Sequence, residues 1–230
     1  TRRLENGEPD IRYCFIPAAE GEILDTWHVR GLRGTGTHHF RVDDVFVPEE
    51  RTCLVAGAPL REPGPLYVLP RTLLFASGDA AVCLGIARSS LEALYELAGA
   101  KMPRAAGGLL RDLPLVQSQV GHAEAHLRSG RALLTETVRE TWEALTSEGD
   151  VTVDQRVALR LAATHAMRLS AKVVDIAYDA GGATAAYLSS PIQRCFQDIH
   201  VATQHIQARL AHYEMVGRYY LGGEPDLSRL

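Results

Sequence analysis

Residues 67–100 read YVLPRTLLFASGDAAVCLGIARSSLEALYELAGA, and their reading decides the fold. Apolar side chains recur at helical spacing after Pro70, Ala and Leu dominate, and no further proline interrupts them, so the stretch predicts one long helix. The chain beyond it repeats the pattern. A second helix is expected from about Leu115 to Leu145. A third begins at the order Thr152-Val153-Asp154-Gln155, a capping box in which hydroxyl and amide side chains satisfy each other's backbone N–H, and it ends at the glycine cap Gly181-Gly182. Ser190 and Pro191 suit the N-cap and first position of a fourth helix that runs to about Leu221. Four long helices with short links predict an antiparallel four-helix bundle.

Ahead of this region the periodicity changes. Residues 11–17 (IRYCFIP), 23–29 (ILDTWHV) and 38–47 (HHFRVDDVFV) collect β-branched and aromatic residues between Gly, Pro and Asp, which predicts strands. Gly31, Gly34 and Gly36 make a tight connection between two of them, Pro48 closes the last, and a Pro/Gly-rich linker runs from about Ala56 to Pro65. The expected class is therefore α+β and mostly α, with residues 1–65 the end of a β-domain and 66–230 a helical bundle. Three strands bury little by themselves, so the β-part needs something more, from elsewhere in the protein or from another chain.

Composition narrows the function classes. The 230 residues are 46% hydrophobic and 23% charged, ordinary values for a folded chain. A net charge of −4, with 24 Lys and Arg scattered rather than striped, gives no footprint for nucleic acid. The longest apolar run, Ala80 to Ala87, is far short of the roughly 20 residues that cross a bilayer, and a cytoplasmic, membrane-free protein is expected. Cys14, Cys53, Cys83 and Cys195 show no CxxC spacing and are read as reduced, buried thiols. His122 and His126 are four apart, but Ala123 stands where HExxH needs its glutamate, so no metal site is expected. RGTGTHH is no GxGxxG, and no GxSxG occurs, so neither a Rossmann site nor acyl transfer is supported.

The stretch Trp27-His28-Val29-Arg30-Gly31-Leu32-Arg33-Gly34-Thr35-Gly36-Thr37-His38, followed by Val42-Asp43-Asp44-Val45-Phe46-Val47-Pro48, resembles the β-domain signature of acyl-CoA dehydrogenases. Leu84-Gly85-Ile86-Ala87-Arg88 and Pro114-Leu115-Val116-Gln117 resemble the first and second helices of that superfamily's C-terminal bundle. Gly181-Gly182 and the run from Pro191 through Asp198 and His200 to His205 resemble its flavin-dependent monooxygenase subgroup, which includes the oxygenase components of p-hydroxyphenylacetate hydroxylase and dibenzothiophene monooxygenase. The resemblance covers nearly the whole chain and implies that an N-terminal helical domain and the first β-strands are absent from it.

It also implies a flavin cofactor, FMN or FAD, and a set of site residues. His205 and His200 on the last helix are the catalytic candidates, since an imidazole that changes charge near neutral pH can move a proton or hydrogen-bond reacting oxygen. The alternative for each is an ordinary polar or core histidine. Five apart on a helix, they point about 140° from each other and cannot share a metal in the usual way. Arg71, Arg104, Gln117, Gly181 and Gly182 are the cofactor-binding candidates: a guanidinium or neighbouring Lys101 suits a flavin phosphate, Gln117 reaches across a subunit interface, and the glycines allow close backbone approach. Basic-loop, helix-start and helix-cap roles are the plain alternatives.

Dehydrogenases of the superfamily keep a catalytic Glu near the position of His205 and Ile206, yet no carboxylate lies between Asp198 and Glu214, and Gln197 replaces the Arg that usually precedes the Asp. The resemblance therefore implies a two-component monooxygenase that takes reduced flavin from a separate reductase and hydroxylates a small hydrophobic or aromatic substrate, assembled as a homo-oligomer, most simply a tetramer. An FAD-dependent acyl-CoA dehydrogenase is the alternative within the fold, and a non-catalytic helical assembly module the alternative outside it.

Overall fold

The computed structural model describes residues 3, 7, 9–55, 59–104, 107–227 and 230. The first part of the expected linker, residues 56–58, lies outside them. Two compact units emerge: residues 1–29 with 33–63, and residues 30–32 with 64–230.

The first unit holds two antiparallel ribbons. Strand β1 (Arg12–Cys14) pairs with β4 (Thr52–Leu54), Tyr13 opposite Cys53, and β2 (Glu22–Leu24) pairs with β3 (His39–Arg41), Ile23 opposite Phe40. Among the described residues, four strands of three residues stand in place of the three longer runs expected, and β4 was not anticipated. Short strands bury little: Ile23 and Phe40, cross-strand neighbours, are 76% and 75% exposed. Cys14 and Cys53 are exposed as well, which corrects the expectation of four buried thiols; only Cys83 and Cys195 are buried.

In the second unit, α1 (Arg71–Ala100), α2 (Pro114–Ser147) and α3 (Val153–Gly181) form as the periodicity predicts. Thr152 accepts from Gln155 N–H at 3.2 Å while Gln155 Oε1 accepts from Thr152 N–H at 2.8 Å, so the capping box is complete. Gly182 caps the other end at φ 56°, a backbone region that an L side chain rarely adopts. Helix α4 (Pro191–Ala202) starts at the expected proline after Ser190. It then stops, which corrects the expectation of one helix to Leu221: a 3-10 turn at Ile206–Ala208 intervenes before α5 (Ala211–Tyr220).

Neighbouring long helices alternate in direction. Arg88 of α1 meets Glu124 of α2, Gly130 of α2 lies against Ala166 and Leu169 of α3, and Tyr178 of α3 stacks on Phe196 of α4. Helix α3 is central, buried through Ala162, Ala163, Ala166, Val173, Val174 and Ala177, whose small side chains let its neighbours approach closely. No described helix is long and apolar enough to cross a membrane.

The segment Arg30–Leu32 belongs to this helical unit and is seated on α4. A Cβ on Gly31 would fall 2.1 Å from the carbonyl oxygen of Gln197, so only glycine fits. Leu32, at φ 49°, is held in that unusual conformation by its N–H, which donates to Asp198 Oδ1 at 2.7 Å. This is the physical role of the Gly31 and Asp198 of the sequence motif. The place where the related pattern has Arg before the Asp is met here by the Gln197 backbone, which needs no side-chain charge.

Candidate active site

Helix α1 carries one charged residue between Leu74 and Ala87, namely Asp79. Across from it, His205 leads into the 3-10 turn with an extended backbone, φ −61° and ψ 148°. The imidazole Nδ1 lies 3.0 Å from Asp79 Oδ2, with the side chains 54% and 39% exposed. Asp79 Oδ2 itself is closed off from solvent and makes no hydrogen bond of regular geometry. The contact is thus an electrostatic one, a shielded carboxylate oxygen facing a nitrogen that can carry a proton. A carboxylate beside one imidazole nitrogen is the arrangement by which a paired imidazole can accept or return a proton at the other.

His200 is a separate centre. It ends α4, with Nε2 2.8 Å from Asp175 Oδ1 of α3, and it packs edge-on to Phe196 at 4.5 Å between ring centres. Phe196 in turn stacks on Tyr178 at 4.3 Å. The two histidines therefore take carboxylates from different helices, His205 from α1 and His200 from α3. The 140° separation expected on one continuous helix does not apply, because His205 lies in the break.

The cofactor candidates fall into two groups. Arg71 opens α1 and is exposed at the same end as Asp79. Arg104 is exposed beyond the other end of α1, near Gly107, which sits at φ 67°. Gln117 occupies the first turn of α2, exposed, with Nε2 donating to Arg111 O at 3.0 Å. Lys101 Nζ donates to Gly181 O at 2.7 Å, a cation on the carbonyl end of α3. Gly181 is buried, and a Cβ there would meet Ala185 Cβ at 2.9 Å and Ile192 Cδ1 at 3.4 Å, so core packing by itself demands this glycine. Gly182 is exposed and carries the cap. A 30-residue helix is about 45 Å long, so Arg71 and the group around Arg104 stand at opposite ends of the bundle.

Sequence reasoning did not single out Asp79, Asp175 or the buried groups that hold the turn. Asp79 left a signal as a lone charge in an apolar helical run; Asp175 left none, because its meaning depends on which helix lies opposite. Burial and the Asp79 charge push the Cys83 thiol up to about 12, so this neighbour stays protonated and inert.

A family model described as acyl-CoA dehydrogenase, C-terminal domain, matches residues 77–210. An indole-3-acetate monooxygenase of Pseudomonas putida is 36% identical over 93% of this chain and 55% of its own length. An FADH2-dependent resorcinol hydroxylase, oxygenase component, of a Rhizobium strain is 29% identical over 95% of this chain and 58% of its own. The crystal structure of the HsaA monooxygenase from M. tuberculosis superimposes with a TM-score of 0.84 at 27% identity, covering 97% of this chain and 60% of that one. The chain spans little more than half the length of the curated relatives it matches.

Proposed function

Since the chain belongs to the acyl-CoA dehydrogenase C-terminal domain family, we propose that it is part of the oxygenase component of a flavin-dependent monooxygenase acting on a small aromatic substrate. The observation that carries this reading is the Asp79–His205 pair at 3.0 Å, an acid–base device set beside an otherwise uncharged stretch of α1. An indole-sized aromatic is the substrate class favoured by the likeness to indole-3-acetate monooxygenase. A separate reductase as the source of reduced flavin is favoured by the likeness to a hydroxylase that is itself an FADH2-dependent oxygenase component.

Bound reduced flavin would supply two electrons, so that one atom of O2 enters the substrate and the other leaves as water. His205, with Asp79 at its Nδ1 and its side chain about half exposed, gives or takes the proton at the reacting oxygen or at a substrate hydroxyl or ring N–H. Arg71 at the same end of α1 offers a fixed positive charge toward the ring system, and Arg104 with Gln117 at the far end offers donors to the phosphate end. The donor types suit a flavin nucleotide, but about 45 Å of helix separates them, so the flavin held by one set meets the other set only from a second copy.

That separation supports a homo-oligomer, as does the outward face of α1. Leu74, Phe75, Gly78, Ala81, Val82 and Gly85 share it, and Phe75 and Val82 remain 54% and 58% exposed. A helix apolar on all sides is ordinarily covered. We assign the cover to another copy, in a tetramer. The dehydrogenase alternative is weakened, since no carboxylate stands between Asp198 and Glu214, where its base is expected.

The test supplies the purified protein with reduced FMN or FAD from an unrelated reductase, O2 and indole-3-acetate or resorcinol as probes. Incorporation of 18O from O2 into a probe supports the proposal. Oxidation of an acyl-CoA without oxygen incorporation, or no reaction with any aromatic probe while flavin is bound, contradicts it.

A further inference from the structure

The turn that carries His205 is fastened by one stripe of α3. Arg160, Thr164 and Arg168 stand four residues apart and therefore on one helix face. Arg160 Nη1 donates to Gln207 Oε1 at 2.5 Å, Thr164 Oγ1 lies 3.5 Å from Gln207 O, and Arg168 Nε donates to Ala208 O at 2.7 Å, with Nη2 on the same oxygen. Ala208 N–H in turn donates to the carbonyl of His205 at 3.0 Å, and His212 Nε2 donates to Ile206 O at 2.9 Å. Every carbonyl from His205 to Ala208 is thus taken, although no α-helical ladder passes through.

Arg160 is an expensive way to hold a turn. It is 1% exposed, the largest fully buried side chain among the described residues, and among these no carboxylate pairs with it; its Nε is buried without a partner. Burial pulls its guanidinium down to about 10, still charged near neutral pH. A leucine would pack this site without desolvating a charge, so the arginine answers to a demand other than cohesion. Gln207, its acceptor, lies two residues from His205 and is 7% exposed.

We propose that Arg160, Thr164 and Arg168 are positioning residues that set the backbone of the turn so that His205 Nδ1 faces Asp79. The stripe acts through Gln207 and Ala208, and its purpose rests on the reading of His205 as the proton-handling group.

The ring 15N shifts of His205, which report on which nitrogen carries the proton, test the proposal without any flavin or turnover. The double variant Arg160→Met with Gln207→Met removes donor and acceptor together, a replacement that leaves neither of the two side-chain partners orphaned. In the wild-type protein one tautomer, protonated at Nδ1, is expected; the double variant is expected to lose that preference and match the Asp79→Asn protein. Should the double variant fail to fold, Arg168→Met, which removes only the bonds to Ala208 O, is expected to shift the same signals. Wild-type His205 shifts in either folded variant overturn the proposal. The reading of His205 itself fails separately: His205→Ala with unchanged product yield would remove its catalytic purpose, while the ring signals would still show whether the stripe sets its pose.

Discussion

At the scale of single residues, the structure turns ambiguous letters into constraints. Gly31 reads in the sequence as one of three turn glycines; its decisive feature is the 2.1 Å that a Cβ would leave to Gln197 O, a long-range fact that no local pattern carries. Gly31→Ala is therefore expected to destabilise the fold by about 1–3 kcal/mol or more, since the neighbour is backbone and cannot yield, and denaturant unfolding measures it. Glu124 follows Ala123, the position at which HExxH would need its glutamate. It binds Arg88 through both oxygens at 2.7 and 3.2 Å, Arg128 at 2.9 Å and Tyr95 Oη at 2.7 Å. Hydrogen bonds from Arg88, Arg128 and Tyr95 lower its carboxyl to about 2 from an ordinary 4.5. A depressed folded-state value stabilises above the unfolded value and is lost on acidification through the folded one. The stability difference between the native protein and Glu124→Gln should hold steady above about pH 4.5 and shrink as pH falls toward 2. A difference that grew on acidification would contradict that network.

At the scale of elements, helix starts were legible and one helix end was not. Thr152, Gln155 and Pro191 carry local chemistry that fixes α3 and α4 wherever the rest of the chain lies, so their positions follow from the sequence. Thr152→Ala should cost about 1 kcal/mol, read from the unfolding midpoint at unchanged slope. The interruption after Ala202 has no such signature, because residues 203–210 (TQHIQARL) contain neither Gly nor Pro. What the sequence does not show is its long-range fastening: Arg160, Thr164 and Arg168 of α3 hydrogen-bond Gln207 and Ala208. Hence His205 was legible as a candidate, through the resemblance of its motif, while its pairing with Asp79 was not. The β-part was legible in kind but not in extent: four three-residue strands leave most of the predicted runs as irregular chain, since pairing partners rather than propensity decide where a strand ends.

At the scale of the whole molecule, the exposed apolar face of α1 and the length of this 30-residue helix between Arg71 and Arg104 both support the proposed second copy. Sedimentation should find a tetramer, and Val82→Glu on that face should shift it toward smaller species; a monomer at all concentrations would remove the proposed cover. The family was legible in the sequence because contiguous motif residues carry it. The central claim is that His205, held by Asp79, handles the proton of an aromatic oxygenation. The measurement that tests it most directly is a single turnover of reduced flavin and O2 with an aromatic probe, comparing hydroxylated product and hydrogen peroxide between the native protein and His205→Ala. Product formation slowed by roughly 10²- to 10⁴-fold, with peroxide rising in its place and flavin affinity preserved, is the predicted result. Equal product yield and equal peroxide in the two proteins would contradict it.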